Sequence, residues 1–283
     1  MNYRHAFHAG NFADVVKHAV LALLIERLKA KDTHFRVIDT HAGAGLYQLT
    51  GPEASRTGEW QGGIGRLWNR HLAPPLAGLL APYLDAVGAA NENARRLVRY
   101  PGSPWIARHL LRRQDRLTAV ELHPEAGAAL AALFAGDVQV RTVALDGWLA
   151  LGAFVPPKER RGLVLVDPPY EAEGEFDRLA AGLINAHKRW PTGIYALWYP
   201  VKDLTAIDGL KRGLADGGLR RLIRAELFVR GRGAGGSFNG AGLVICNPPW
   251  RFGETLESLL AGLVPVLADG PGAGHLIDEI AGE

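Results

Sequence analysis

An α/β fold, with strands and helices alternating into a mostly parallel, doubly wound sheet, is predicted on three observations. Short apolar runs recur between segments of helical period. Small or acidic residues close four successive runs. One stretch of helical pattern without a convincing strand, residues 46 to 100, interrupts the alternation and reads as a helical insertion. With 283 residues, 48% of them hydrophobic, the chain can bury a full core, and its length permits one large α/β domain or two smaller ones; a single domain over residues 1 to 283 carrying the insertion is preferred.

Each element has its own signal. Residues 12 to 31 carry Val15, Val16, Ala19, Val20, Leu23, Leu24 and Leu28, a helical period, with Asp14 favouring the N-terminal end of the dipole. That helix is expected to pack one face inward. Residues 35 to 40 read as a short buried strand running into the small-residue turn His41-Ala42-Gly43-Ala44-Gly45. In the insertion, Gly51-Pro52, Gly62-Gly63 and Pro74-Pro75 separate short helical runs. Ser103 followed by Pro104 is an N-cap and first-turn pair, starting a helix to about Arg113. Strands follow at 117 to 122, 138 to 145 and 162 to 167, with a helix over 124 to 134. A helix at 175 to 190, a strand at 194 to 199 and a helix at 203 to 214 come next. Strands at 219 to 229 and 241 to 247, joined by a glycine-rich hairpin, bring the expected sheet to seven strands. No element is assigned beyond residue 253.

Composition narrows the chemistry. A single cysteine, Cys246, inside an apolar run leaves neither a disulfide framework nor a thiolate metal site and fits a reducing cytoplasm. The longest early apolar run, residues 19 to 25, is too short to span a bilayer, so no membrane partner is expected. His5, His8, His18 and His41 crowd the first 41 residues, but no cysteine joins them and Lys17 beside His18 would repel a cation. A nucleotide pocket is therefore preferred to a metal. With 32 basic and 29 acidic residues the charge is near balance, and only the arginine clusters at 95 to 99, 108 to 116, 220 to 224 and 230 to 232 hint at a polyanion.

In a doubly wound sheet, ligands bind beyond the carboxyl ends of the strands. Polar groups belong there, and residues 39 to 45, Glu121, Asp146-Gly147 and Asp167 each close a predicted strand. Gly43 and Gly45 let backbone approach a ligand, although a dinucleotide site would want a glycine where Gln48 stands. Glu121 is either an acceptor for two ribose hydroxyls or an ordinary strand-end charge. Asp146 is either an acceptor for an adenine amine, with Gly147 leaving room for the ring, or a helix cap.

Asp167-Pro168-Pro169-Tyr170 is the most informative stretch. A carboxylate and a carbonyl on a proline-stiffened turn can accept hydrogen bonds from an exocyclic amine while Tyr170 stacks on its ring. The pattern resembles the catalytic motif of S-adenosylmethionine-dependent amino-group methyltransferases, with Asp167 and the Pro168 carbonyl holding the amine and Asp167 taking the released proton. Asn247-Pro248-Pro249-Trp250 fits the same pattern. The short hairpin before it makes its strand antiparallel, which sends that copy to the opposite edge.

The N-terminal run Tyr3-Arg4-His5-Ala6-Phe7-His8-Ala9-Gly10-Asn11, with Ala13-Asp14-Val15 and Lys17-His18, resembles the bacterial 23S ribosomal RNA adenine-N6 methyltransferase J family. The similarity continues through Asp39 to Gly45, Thr57-Gly58-Glu59, Tyr100 to Pro104, Glu121 to Pro124, Asp146-Gly147, Asp167 to Glu171 and Thr192 to Pro200. It implies a Rossmann-like class I S-adenosylmethionine-dependent methyltransferase acting on one adenosine of 23S rRNA. His18, His41, Ser103, Glu121, Asp146, Gly147 and Asp167 become expected cofactor contacts, and Tyr3, His5 and Lys17 expected neighbours of the target adenosine. A cytoplasmic monomer without a metal is expected. The rival readings are a DNA adenine-N6 methyltransferase and a non-catalytic RNA-binding protein of the same fold.

Overall fold

Eight strands form the main sheet in the computed structural model, which describes residues 4–92, 95–233 and 236–282. In chain order the elements are α1 (Phe12–Lys29), β1 (Arg36–Asp39), β2 (Leu46–Gln48), α2 (Pro52–Thr57), α3 (Glu59–Gly62), α4 (Pro74–Ala90), β3 (Arg99–Pro101) and α5 (Ser103–Leu110). Then come β4 (Arg116–Val120), α6 (Pro124–Leu133), β5 (Val140–Val143), α7 (Gly147–Ala153), β6 (Gly162–Val166) and α8 (Glu175–Arg189). The chain closes with β7 (Ile194–Pro200), α9 (Leu204–Asp216), β8 (Leu222–Phe228), β9 (Gly240–Cys246), α10 (Phe252–Leu267) and β10 (Gly274–Ala281).

The sheet runs β10-β8-β9-β7-β6-β1-β4-β5. From β7 to β5 every pairing is parallel, while β9 is antiparallel to both β7 and β8. The chain winds outward from β1 through β4 to β5, then returns to β6 on the other side of β1, so strand order reverses beside β1. β6 is buried at all five positions, as a central parallel strand covered on both faces should be.

Three expectations need correction. The sheet has eight strands and not seven, because β10 pairs antiparallel with β8 at an edge. None of its residues is fully buried, so it lacks the apolar run that marks the inner strands. The insertion contains two strands: β2 and β3 pair antiparallel, and Gly102 N–H to Gly45 O and Leu49 N–H to Val98 O extend the clasp at either end. Three-residue strands are too short to show a period. The first helix is not one-faced. Fourteen of the eighteen residues of α1 are buried, because it lies between the sheet on one side and α4, α5 and α10 on the other.

The N-terminus of α1 is fixed by Asn11, whose side-chain oxygen accepts from Ala13 and Asp14 N–H at 3.0 Å each. With the cap supplied, the Asp14 side chain turns to other partners.

Candidate active site

The carboxyl ends of β6, β1, β4 and β5 open into one cleft of about 680 Å³. Asp167 leaves β6 at its centre, and Lys17 reaches it from α1: Lys17 Nζ lies 2.5 Å from Asp167 Oδ2 and 2.8 Å from Asp14 Oδ1. Asp14 also accepts from Gly10 N–H at 2.9 Å and pairs with His5 Nε2 at 3.0 Å. Asp14 and Lys17 are almost wholly buried. Burial alone would push the Lys17 ammonium down, but the Asp14 and Asp167 carboxylates hold it above its ordinary range. Burial likewise works against the Asp14 anion, yet His5 and Lys17 keep its carboxyl well below the usual value.

Tyr170 ends the proline turn in the left-handed region, φ +53°, which folds its ring back against the cleft wall. Its hydroxyl donates to Trp198 O at 2.7 Å, and its ring lies 5.1 Å from Phe176 and 5.7 Å from Trp198. The ring plane is therefore set by two neighbours and a hydrogen bond.

Across the cleft, the turn after β1 holds Gly43 at φ +61°. Glu121 closes round it, with Oε2 accepting from Gly43 N–H and Oε1 from His123 N–H, both at 2.7 Å. Both oxygens retain further acceptor capacity toward the cleft. Gly45, expected beside the ligand, stands outside the lining: a Cβ there would lie 2.7 Å from Leu133, so this glycine admits α6. Gly147 lines the cleft, and a Cβ on it would meet Thr40 O at 2.3 Å and the His41 ring at 2.6 Å. Asp146 does cap α7, accepting from Trp148 N–H at 2.7 Å, and still faces the cleft with Oδ2 3.6 Å from Arg178.

His18 and His41 line the same space as neutral rings. Burial pushes His18 down to about 3 and His41 to about 4. His18 Nδ1 pairs with the Tyr100 hydroxyl at 2.8 Å, which fixes the ring on the buried Tyr100–Tyr83 pair. Ser103 is the first residue of α5, where Gly102 occupies the cap position, and it faces the cleft buried. Tyr3 lies outside the described residues. Every other expected site residue except Gly45 meets in this cleft, including Pro168, His5 and Lys17.

Two cleft residues, Tyr47 and Trp198, escaped sequence reasoning, and Asp39, read there only as part of a strand end, has surroundings that the sequence does not show. Asp39, last in β1, is 1% exposed and its Oδ2 has no hydrogen-bond partner among the described residues. Burial pushes its carboxyl up to about 7; Ser103 pulls it back, Asp167 adds to the rise, and Lys17 opposes it. Tyr47, on β2, takes Ala44 N–H on its hydroxyl at 3.1 Å and presents its ring 5.0 Å from His5, so the insertion braces the glycine turn. Trp198 carries the Tyr170 contact and lies 5.6 Å from Lys17 Nζ.

The second proline turn leaves β9 at the opposite edge, where Asn247 Nδ2 donates to Pro191 O and Gly193 O at 2.8 and 2.7 Å. Many of the clustered arginines serve the fold: Arg108 pairs with Asp137, Arg112 with Asp115, Arg224 with Asp278 and Arg232 with Glu226. Among the described residues no group of three or more His, Cys, Asp or Glu is arranged to hold a metal, and no helix is long and apolar enough to cross a membrane.

Comparison with known proteins adds to this geometry. The family model described as Ribosomal RNA large subunit methyltransferase D, RlmJ, matches residues 32–278. A relative from Escherichia coli (strain K12) described as Ribosomal RNA large subunit methyltransferase J is 42% identical over 275 residues, 97% of this chain and 96% of its own. One of the same description from Haemophilus influenzae is 41% identical over 267 residues, 94% and 92% of the two chains. Among solved structures, protein LPL1258 from Legionella pneumophila is 32% identical with a TM-score of 0.86, covering 96% of this chain and 98% of that one.

Proposed function

Because this chain belongs to the ribosomal RNA large subunit methyltransferase family described as D, RlmJ, we propose that it transfers a methyl group from S-adenosylmethionine to the exocyclic N6 of one adenosine in 23S rRNA. Membership in this family is what the sequence motifs implied. The observation that carries the reading is the meeting of the Asp167 turn, the Gly43 turn and the Lys17–Asp14–His5 cluster in a single cleft.

The cleft suits the donor's chemistry. Glu121 has lone pairs to spare for hydroxyls, and Gly147 keeps space clear beside His41. His18, His41, Gly43, Ser103, Glu121, Asp146, Gly147 and Asp167 would hold the cofactor. When bound, S-adenosylmethionine supplies an electrophilic methyl group on a sulfonium.

The chain's own task is to hold the amine nucleophilic and in place. Lys17 grips Asp167 by Oδ2, which leaves Oδ1 to accept from the target amino group beside the Pro168 carbonyl. Hydrogen bonds to those two acceptors draw the nitrogen lone pair out of conjugation with the ring. Tyr170, held by Trp198, stacks on the purine. Transfer of the methyl to the nitrogen would break its bond to sulfur and leave the donor as a neutral thioether, and Asp167 Oδ1 would accept the proton that the nitrogen sheds and pass it to solvent. His5 and Lys17 border the target base. Action in the cytoplasm accords with the buried free thiol of Cys246.

The test offers purified protein and labelled donor to rRNA from cells lacking it and to duplex DNA, and maps the product by mass spectrometry. Labelled N6-methyladenosine at one rRNA position is expected, and Asp167→Asn should lower the rate by about 100-fold or more while donor binding persists. Label in DNA alone, or an undiminished Asp167→Asn variant, defeats the proposal.

A further inference from the structure

We propose that Phe238 and Lys202 form a subsite at the mouth of the cleft for a nucleotide flanking the target adenosine. Phe238 stacks on that nucleotide's base and Lys202 contacts its phosphate. The inference rests on the function proposed above and extends it to RNA outside the reacting base.

Phe238 precedes β9, lines the cleft and leaves 40% of its surface exposed, a large apolar area for a position beside a polar ligand site. Its ring is 5.2 Å from Phe12 and 6.4 Å from Trp198, and Trp198 is 5.7 Å from Tyr170. Aromatic surface therefore runs from the catalytic turn to the rim. Lys202 stands on that rim, just past the β7–β9 ladder, whose last registered pair Pro200–Ala241 is followed by Val201 N–H to Gly240 O at 2.8 Å. Two other cations of the cleft are committed, Arg4 to Glu125 and Arg178 to Asp146 and Glu175. Lys202 is exposed and has no ion-pair partner among the described residues.

A base drawn out of its stack into this cleft leaves its neighbours unstacked. An exposed ring and an uncommitted cation lining the same cleft answer that loss, since stacking on aromatic side chains tolerates any base and a lysine holds the backbone. The pairing of ring and charge at the pocket that takes the target base favours a nucleotide over a peptide.

The experiment uses the full chain with an rRNA fragment carrying intact flanks and with fragments in which the residue 5′ or 3′ of the target is abasic. Phe238→Ala should raise KM for the intact fragment about ten-fold, with kcat and KM for the donor unchanged. Phe238→Trp should behave as the wild type. One of the abasic fragments should cost the wild type a similar factor and cost the alanine variant nothing further. Lys202→Gln should weaken all fragments alike and flatten the salt dependence by about one ion. Losses that multiply for both abasic positions, or a rise in the donor's KM, overturn the subsite while leaving the methyl transfer intact. Absence of transfer to any RNA by the wild type removes the underlying function and the subsite with it.

Discussion

Replacing Lys17 by methionine keeps the length of the side chain but strips the positive charge from between Asp14 and Asp167. Removing one partner of a buried ion pair costs about 3–5 kcal/mol, because the remaining charge stays desolvated. The lower end applies here. Asp14 keeps His5 at 3.0 Å and the Gly10 N–H at 2.9 Å, and the Asp167 side chain is 15% exposed. A loss of about 3 kcal/mol corresponds to a midpoint lower by roughly 6–12 °C for a domain of this size. The pH dependence has a definite sign. Asp14 has a depressed carboxyl, so its contribution is present above about pH 4 and fades as pH falls below that. Lys17 has a raised ammonium, so its contribution holds below about pH 10 and fades as pH rises through its folded value. Urea denaturation of wild type and Lys17→Met should therefore show a constant gap from about pH 5 to 9 that narrows toward pH 3. A gap under about 1 kcal/mol at pH 7, or one that widens on acidification, refutes the account of this cluster.

Asp39 has a raised carboxyl, so it holds a proton when folded and releases it on unfolding between its unfolded value near pH 4 and about pH 7. That stabilisation is lost as pH rises through the same window, so Asp39→Asn should make stability climb more steeply from pH 5 to 6, by about 1.4 kcal/mol per pH unit; parallel denaturation profiles would count against the orphaned carboxyl. Gly147→Ala places a methyl group 2.3 Å from Thr40 O, and calorimetric titration should show donor affinity at least about ten-fold weaker, whereas unchanged affinity means that this backbone has room to shift.

Most of the sheet is legible because its strands are buried on both faces. Leu163 to Val166 can hardly be read otherwise, and the polarity of β9 followed from the shortness of its hairpin. The clasp of β2 with β3 and the edge strand β10 were not legible, the first for want of length and the second for want of an apolar run. In the cleft, acceptors at strand ends announced themselves through topology, so Glu121, Asp146 and Asp167 could be named without a structure. Asp39 ends a strand as well, but its peculiarity depends on Ser103, Lys17 and Asp167, brought to it by three separate elements. Lys17 sits in an apolar helix and looks like a stray charge until its partner, 150 residues away, comes into contact. Gly45 misled because a left-handed glycine looks the same in sequence whether it makes way for a ligand or for the Leu133 side chain.

The near-complete burial of α1 has a consequence for how this protein can change. A helix that borders solvent can absorb a substitution by leaning outward, and one enclosed on all sides has no such slack. Asp14, Lys17 and His18 thus hang from a largely buried helix with little room to shift, and variation there will tend to disturb the cleft and folding together. Tuning of the enzyme is freer at the rim, where side chains answer to water.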